Sequence, residues 1–113
     1  MSDPLGEERA AALAQIAALT REFDEVVAAS QASNADDEHD PEGATIAFER
    51  QQIAALLEQA RRRLTDVEAA IRSVEAGIYG ICETCGRPIA PERLEAIPWA
   101  ALCIDCQRTA GRG

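Results

Sequence analysis

The sequence predicts a mainly α-helical protein: a long antiparallel helical hairpin, or coiled coil, followed by a small four-cysteine module with a short C-terminal helix. Three observations predict this fold class. Alanine supplies 23 of the 113 residues and aromatic residues only 4%, a composition that favours helices over a thick core. Apolar residues recur at alternating steps of three and four in two segments, and all four cysteines lie in the last third of the chain.

The first predicted helix extends from about Pro4 to Ser33. Asp3 before Pro4 is typical of a helix start, because aspartate caps the first turn and proline suits the first helical position. A coiled-coil seam is predicted at Ile16, Leu19, Phe23 and Val26. Residues 34–43 contain Asn, Pro and Gly, which we expect to break the helix, and five of these ten residues are acidic.

The second predicted helix covers Ala44 to Ala76 and has the stronger pattern. A partner helix is implied, because eight of ten positions at the coiled-coil period hold large apolar residues. The predicted seam positions are Ile46, Arg50, Ile53, Leu57, Ala60, Leu64, Val67, Ile71, Val74 and Ile78. The simplest partner is the first helix, folded back through the acidic turn; a helix pair that dimerises into a four-helix bundle is the alternative. Gly77 is a candidate C-cap.

The four cysteines form two pairs, Cys82 with Cys85 and Cys103 with Cys106, in the spacing C-x2-C-x17-C-x2-C. Two such knuckles match one tetrahedral Zn²⁺ ion, and Gly86 suits a turn that needs positive φ. Disulfides and a redox-active pair are the alternatives. The cytoplasm disfavours disulfides, and a redox pair normally lies on a βαβ scaffold, which is absent here. Four protein ligands leave no open position, so we predict one structural zinc.

The module between and after the knuckles is expected to contain two short helices. One covers about Pro91 to Ala96 and is ended by Pro98, and the other runs from Ile104 to Ala110. We therefore predict two domains: residues 1–76 form the hairpin with its acidic tip at 34–43, and residues 77–113 form a C4 zinc-finger module with the C-terminal helix.

Charge and hydropathy limit the classes of partner. The chain has 20 acidic and 11 basic residues, the latter all arginine, and a formal net charge of −9. This charge opposes electrostatic binding to nucleic acid and favours a positively charged protein surface. No apolar stretch approaches the ~18 residues of a membrane span, and the acidic N-terminus does not suit a secretory signal, so a cytoplasmic protein is expected. No nucleophile–base pair or glycine-rich phosphate loop is visible, so we do not expect an enzyme.

Three segments, residues 77–89, 93–98 and 102–107, closely resemble the DksA/TraR family of C4-type zinc fingers. The resemblance implies a bacterial transcription regulator that binds RNA polymerase, inserting its coiled coil into the secondary channel without sequence-specific DNA binding. The family's tip motif is Asp-x-x-Asp-x-Ala. One alignment matches Asp37 and Asp40 to its two acids and puts Glu42 at the alanine position. The other begins at Asp40 and puts Gly43 at the second acid and Thr45 at the alanine. Asp37, Asp40 and Glu42 are the candidate partner-binding tip, with Asp40 present in both alignments. We do not infer a nucleotide-binding site from the resemblance.

The sequence leaves other functions open. A zinc-stapled coiled-coil adaptor, or a self-associating structural protein with no polymerase role, is the main alternative to a monomeric regulator; single-stranded nucleic-acid binding through the finger is a third. We expect Trp99 to pack against the zinc module or the hairpin base and His39 to be an exposed turn residue. Arg61, Arg62 and Arg63 are expected on a solvent-exposed helix face.

Overall fold

The computed structural model describes residues 3–34 and 41–111, and this part of the chain contains four helices. They are α1 (Pro4–Asn34), α2 (Pro41–Ala76), α3 (Pro91–Ala96) and α4 (Ile104–Gly111). Within these residues the only extended pairing is an isolated bridge between Ile81 and Pro88. The predicted mainly α-helical fold class is confirmed, as are the bounds of α3 and the start of α4.

The start of α1 is capped by Asp3. The backbone N–H of Gly6 donates to Oδ1 of Asp3 at 3.1 Å, and the N–H of Glu7 donates to the Asp3 carbonyl at 2.9 Å. The carboxylate therefore satisfies one of the first-turn N–H groups that have no partner inside a helix, while Pro4 has no N–H to satisfy. The predicted cap is confirmed.

Helix α2 begins at Pro41, three residues before the predicted start at Ala44. The prediction that Pro41 and Gly43 break the helix is wrong, because both lie inside α2. Proline fixes φ near the helical value and is tolerated in a first turn, where its missing N–H would have no helical partner in any case.

Both ends of the predicted acidic turn at residues 34–43 belong to helices. Asn34 belongs to α1, and Glu42 lies in the first turn of α2. Asp37, His39 and Asp40 lie outside the described residues.

The chain divides into two compact units, Met1–Ala10 with Arg63–Gly113, and Ala11–Arg62. In each unit α1 packs against α2. The first residues of α1 pack against the last third of α2 in the first unit, and later residues of α1 pack against the middle of α2 in the second. This order of contacts is the one that antiparallel helices give.

The core of the second unit confirms the middle of the predicted seam. Leu19, Leu57 and Ala60 form a buried cluster, and Ile16 and Ile53 pack against it. In the first unit the corresponding buried cluster consists of Leu5, Val67 and Ala70, with Ile71 and Trp99 packed against it. Small side chains at several of these positions allow two helices to approach closely, since interaxial distance depends on the residues at the contact.

The prediction is wrong for the last two positions of the seam. Val74 and Ile78 are 52% and 59% exposed, although the pattern places them against a partner helix. Because α1 begins at Pro4, no further turn of α1 remains to cover Val74, and Ile78 lies beyond the end of α2. The pattern in turn missed Leu5 and Ala12, both buried, which continue the seam at seven-residue intervals from Leu19.

No helix in the described part of the chain is both long and apolar enough to cross a membrane.

Candidate metal centre

The end of α2 directs the chain into the cysteine module. The N–H of Gly77 donates to the Val74 carbonyl at 3.1 Å, and the N–H of Ile78 donates to the Ser73 carbonyl at 2.9 Å. Gly77 has a φ of 77°. Together these features form a Schellman motif, in which a left-handed residue satisfies the last helical carbonyls. The predicted C-cap at Gly77 is confirmed.

The first knuckle is a tight turn between Cys82 and Arg87. The N–H of Cys82 donates to the Arg87 carbonyl at 2.8 Å, and the N–H of Gly86 donates back to the Cys82 carbonyl at 3.0 Å. Gly86 adopts a φ of 74°, as its position after Cys85 predicts. The turn brings the sulfur atoms of Cys82 and Cys85 to the same cluster.

The second knuckle is built from the start of α4 and is joined to the first by backbone. The N–H of Glu83 donates to the Ala101 carbonyl at 2.9 Å, which joins the two knuckles. Cys103 immediately precedes α4, and its carbonyl accepts the N–H of Gln107 at 2.9 Å. Cys106 lies in the first turn of this helix, so the start of α4 brings the two cysteines of this knuckle together.

The sulfur atoms of all four cysteines lie within 4.8 Å of one another. A tetrahedral site with Zn–S bonds of about 2.3 Å places its sulfur atoms about 3.8 Å apart. The sulfur atoms of Cys85 and Cys103 are 3.8 Å apart. All four thiols are free, so the disulfide alternative does not hold in this structure. The cluster therefore fits a zinc ion in both donor chemistry and spacing.

The thiols of the cluster differ in their pKa values. Backbone hydrogen bonds at Cys85, and then at Cys103, lower the pKa of the Cys82 thiol to about 6. Hydrogen bonds of the Cys106 thiol to the sulfur atoms of Cys103 and Cys82 raise its pKa to about 12. Four thiolates this close together repel one another, so complete deprotonation requires a cation among them.

Two side-chain contacts support the module, and sequence patterns missed both. Nε of Arg93 in α3 donates to the carbonyl of Leu102, next to Cys103, at 2.9 Å. The Tyr79 hydroxyl donates to the Pro98 carbonyl at 2.9 Å. Neither contact has a periodic signal, because the acceptor in each is a backbone carbonyl in an irregular segment.

Trp99 connects the zinc module to the helices of the first unit. Its side chain packs against the cluster of Leu5, Val67 and Ala70, which confirms the predicted role. The guanidinium of Arg63 lies 5.1 Å from the centroid of the Trp99 ring. This cation–π contact gives Arg63 a packing role besides its exposed position on α2.

Residues 77–110 match the family model "Prokaryotic dksA/traR C4-type zinc finger". This segment is a dksA/traR zinc finger. The matched range contains all four clustered cysteines and every contact between the two knuckles. The resemblance inferred from the sequence is confirmed.

Curated relatives are similar to this chain over part of their length. Protein YteA of Bacillus subtilis is 43% identical over 69 residues, which is 61% of this chain and 29% of YteA. "RNA polymerase-binding transcription factor DksA" of Escherichia coli is 44% identical over 50 residues, 44% of this chain and 33% of that protein. The chain thus spans no more than a third of either relative.

A solved structure shows the same fold over nearly the whole chain. Transcription factor DksA2 from Pseudomonas aeruginosa superposes with a TM-score of 0.55 and 24% sequence identity. The match covers 96% of this chain and 83% of the DksA2 chain. The similarity therefore extends beyond the zinc finger to the helices that precede it.

Replacing Gly86 by alanine is expected to weaken zinc binding about tenfold, because an L-residue at positive φ costs about 1–2 kcal/mol. The added Cβ meets no atom within 4 Å, so the cost is confined to the backbone. Since such modules fold together with their metal, the cost enters the metal affinity. Competition with a chromophoric chelator measures it. Gly86→Asn is the control, because asparagine tolerates this conformation better; equal weakening by both variants would contradict the explanation.

Proposed function

We propose that this chain is a bacterial transcription regulator that binds RNA polymerase and does not bind DNA in a sequence-specific way. The zinc finger at residues 77–110 carries the proposal, because it is shared with proteins named RNA polymerase-binding transcription factor DksA. The net charge of −9 supports it, since such a chain is repelled by DNA and attracted to basic protein surfaces. A polymerase partner also places the protein in the cytoplasm.

The metal has a structural role in this proposal. One Zn²⁺ ion is bound by Cys82, Cys85, Cys103 and Cys106, whose spacing fits a closed tetrahedral site. Four sulfur ligands leave no coordination position for water, so the site supplies no catalytic activity. The ion instead fixes the two knuckles to each other and orients the module against α2.

The helices supply the polymerase contact. The 36 residues of α2 span about 54 Å at a rise of about 1.5 Å per residue. We propose that the hairpin of residues 1–76 enters the secondary channel, with residues 77–113 as a separate module at its base. The tip residues Asp37, Asp40 and Glu42 then act electrostatically on basic groups near the catalytic region.

A monomer fits the helix packing better than the self-associating alternative. That alternative requires seam residues such as Leu57 to be buried between chains. Leu57 is instead buried against Leu19 of the same chain, so the seam already has its partner.

Transcription with purified components tests the proposal. Adding the zinc-bound chain to bacterial RNA polymerase and promoter DNA is expected to change the lifetime of open complexes. The same chain with promoter DNA alone is expected to give no shift in gel mobility. An unchanged lifetime at saturating concentration, or a sequence-specific shift of DNA alone, would contradict it.

Replacing Asp40 by asparagine is expected to reduce the effect on open complexes about tenfold, since a hydrogen bond to a charged group contributes about 1.5–3 kcal/mol. Binding to polymerase should change far less, because the helix sides and the module provide most of the contact. Open-complex lifetimes and binding are measured on the same samples. Glu38→Gln, which removes an equal charge outside the motif, is the control. Full activity of the Asp40 variant would show that the tip is only a solvated turn.

A further inference from the structure

An apolar cleft lies in the first unit beside the zinc finger. The volume of this open cleft is about 590 Å³, within the range of roughly 300–1,000 Å³ that is typical of binding pockets. Its apolar wall is formed by Leu5, Val74, Tyr79, Pro91, Leu94 and Pro98. The start of α1, the end of α2 and α3 thus contribute to one concave surface, separate from the cysteine cluster.

The cleft is open and its walls are fixed. Val74 is 52% exposed and Tyr79 is 37% exposed, although both are large and apolar. The Tyr79 hydroxyl is held by the Pro98 carbonyl, and Pro91 begins α3 with its φ fixed by the ring. A rigid apolar surface of this kind binds a partner with little loss of conformational entropy.

The charge of the cleft determines what can occupy it. Its lining includes the carboxylates Asp3 and Glu95 and no arginine. The chain as a whole carries −9, which opposes pairing with a second copy of itself. The complementary occupant therefore has an apolar side chain for the wall and a basic group for the carboxylates.

We infer that this cleft binds a segment of RNA polymerase in which a large apolar side chain stands beside a lysine or arginine. The inference rests on the proposed function and adds to it a contact at the zinc-finger end, independent of the acidic tip. The apolar side chain is buried between Val74, Tyr79 and Leu94, and the basic group pairs with Glu95.

Replacing Val74 by arginine tests the apolar contact in the zinc-bound full chain. The dissociation constant for core polymerase is expected to rise about tenfold or more, the effect typical of losing a buried anchor. Ile81→Arg is the matched control, because Ile81 is 42% exposed, belongs to the same compact unit as Val74 and lies outside this cleft. Zinc content confirms that both variants fold. Equal effects of the two variants would overturn the inference and leave the proposed function standing, whereas a wild-type chain that does not bind would overturn both.

Glu95 and Glu92 test the charge contact, because both belong to α3 and only Glu95 lines the cleft. Glu95→Gln is expected to weaken polymerase binding about three- to tenfold at low salt, with a smaller difference at high salt, as screening predicts. Glu92→Gln should have no such effect. Equal behaviour of the two variants would contradict the assignment of the basic group to Glu95.

Discussion

Replacing Cys82 by serine is expected to abolish zinc binding and to unfold residues 77–111, while α1 and α2 keep most of their helical signal. The described part of the module has only two buried hydrophobic residues, Cys82 and Ile89, which is too small a core to fold without the metal. In zinc-finger peptides a structural Zn²⁺ ion supplies about 10–16 kcal/mol of free energy, which is the free energy of folding itself. No substitution outside the four ligand cysteines is expected to have so large an effect.

Zinc content and Trp99 fluorescence measure this loss, since Trp99 lies between the two knuckles and packs against the helices. Thr84→Ser is the control, because Thr84 stands in the same knuckle but outside the sulfur cluster. It should keep one zinc ion per chain and the native fluorescence. A Cys82→Ser chain that retains its zinc would show that the ligand assignment is wrong.

Replacing Leu57 by alanine is expected to reduce the free energy of unfolding by about 2–4 kcal/mol, the cost of truncating a buried leucine and leaving a cavity. Leu57 is 8% exposed and packs with Leu19 and Ala60 in the second unit. The neighbouring Leu56 is 46% exposed on the same helix. Leu56→Ala should therefore cost less than about 1 kcal/mol, as exposed substitutions usually do.

Urea unfolding of the zinc-bound protein, followed by helical circular dichroism, compares the two leucine variants. The midpoint should fall for Leu57→Ala and change little for Leu56→Ala, at every protein concentration. Equal destabilisation by the two variants, or a midpoint that depends on concentration, would indicate that the helices pack against a second chain.

The helices and the metal cluster were predictable because each has a regular signal. Asp3 before Pro4, Gly77 near the end of the helical pattern and the paired C-x2-C spacing each specify a local geometry, and the structure confirms all three. The exact ends of the helical pairing were not predictable, because the pattern of one helix does not reveal where its partner begins. Val74 therefore matches the seam in sequence and is exposed in the structure.

Part of the seam consists of alanine residues, which the sequence pattern does not distinguish from exposed alanines. Ala12 is 1% exposed, yet its sequence neighbours include several other alanines, so nothing in the pattern distinguishes it. The contacts that hold the zinc finger could not be predicted either, because Tyr79 and Arg93 donate to backbone carbonyls in irregular segments, at Pro98 and Leu102. Such contacts depend on the path of the folded chain, so no residue spacing in the sequence predicts them.

Equilibrium binding of the zinc-bound chain to purified bacterial core RNA polymerase is the most direct test of the proposed function. Binding is measured at low salt in the absence of DNA, with the metal-free Cys82→Ser chain as a comparison. We predict saturable one-to-one binding that weakens as salt rises, because the contact is partly electrostatic. Absence of binding at low salt would contradict the proposal.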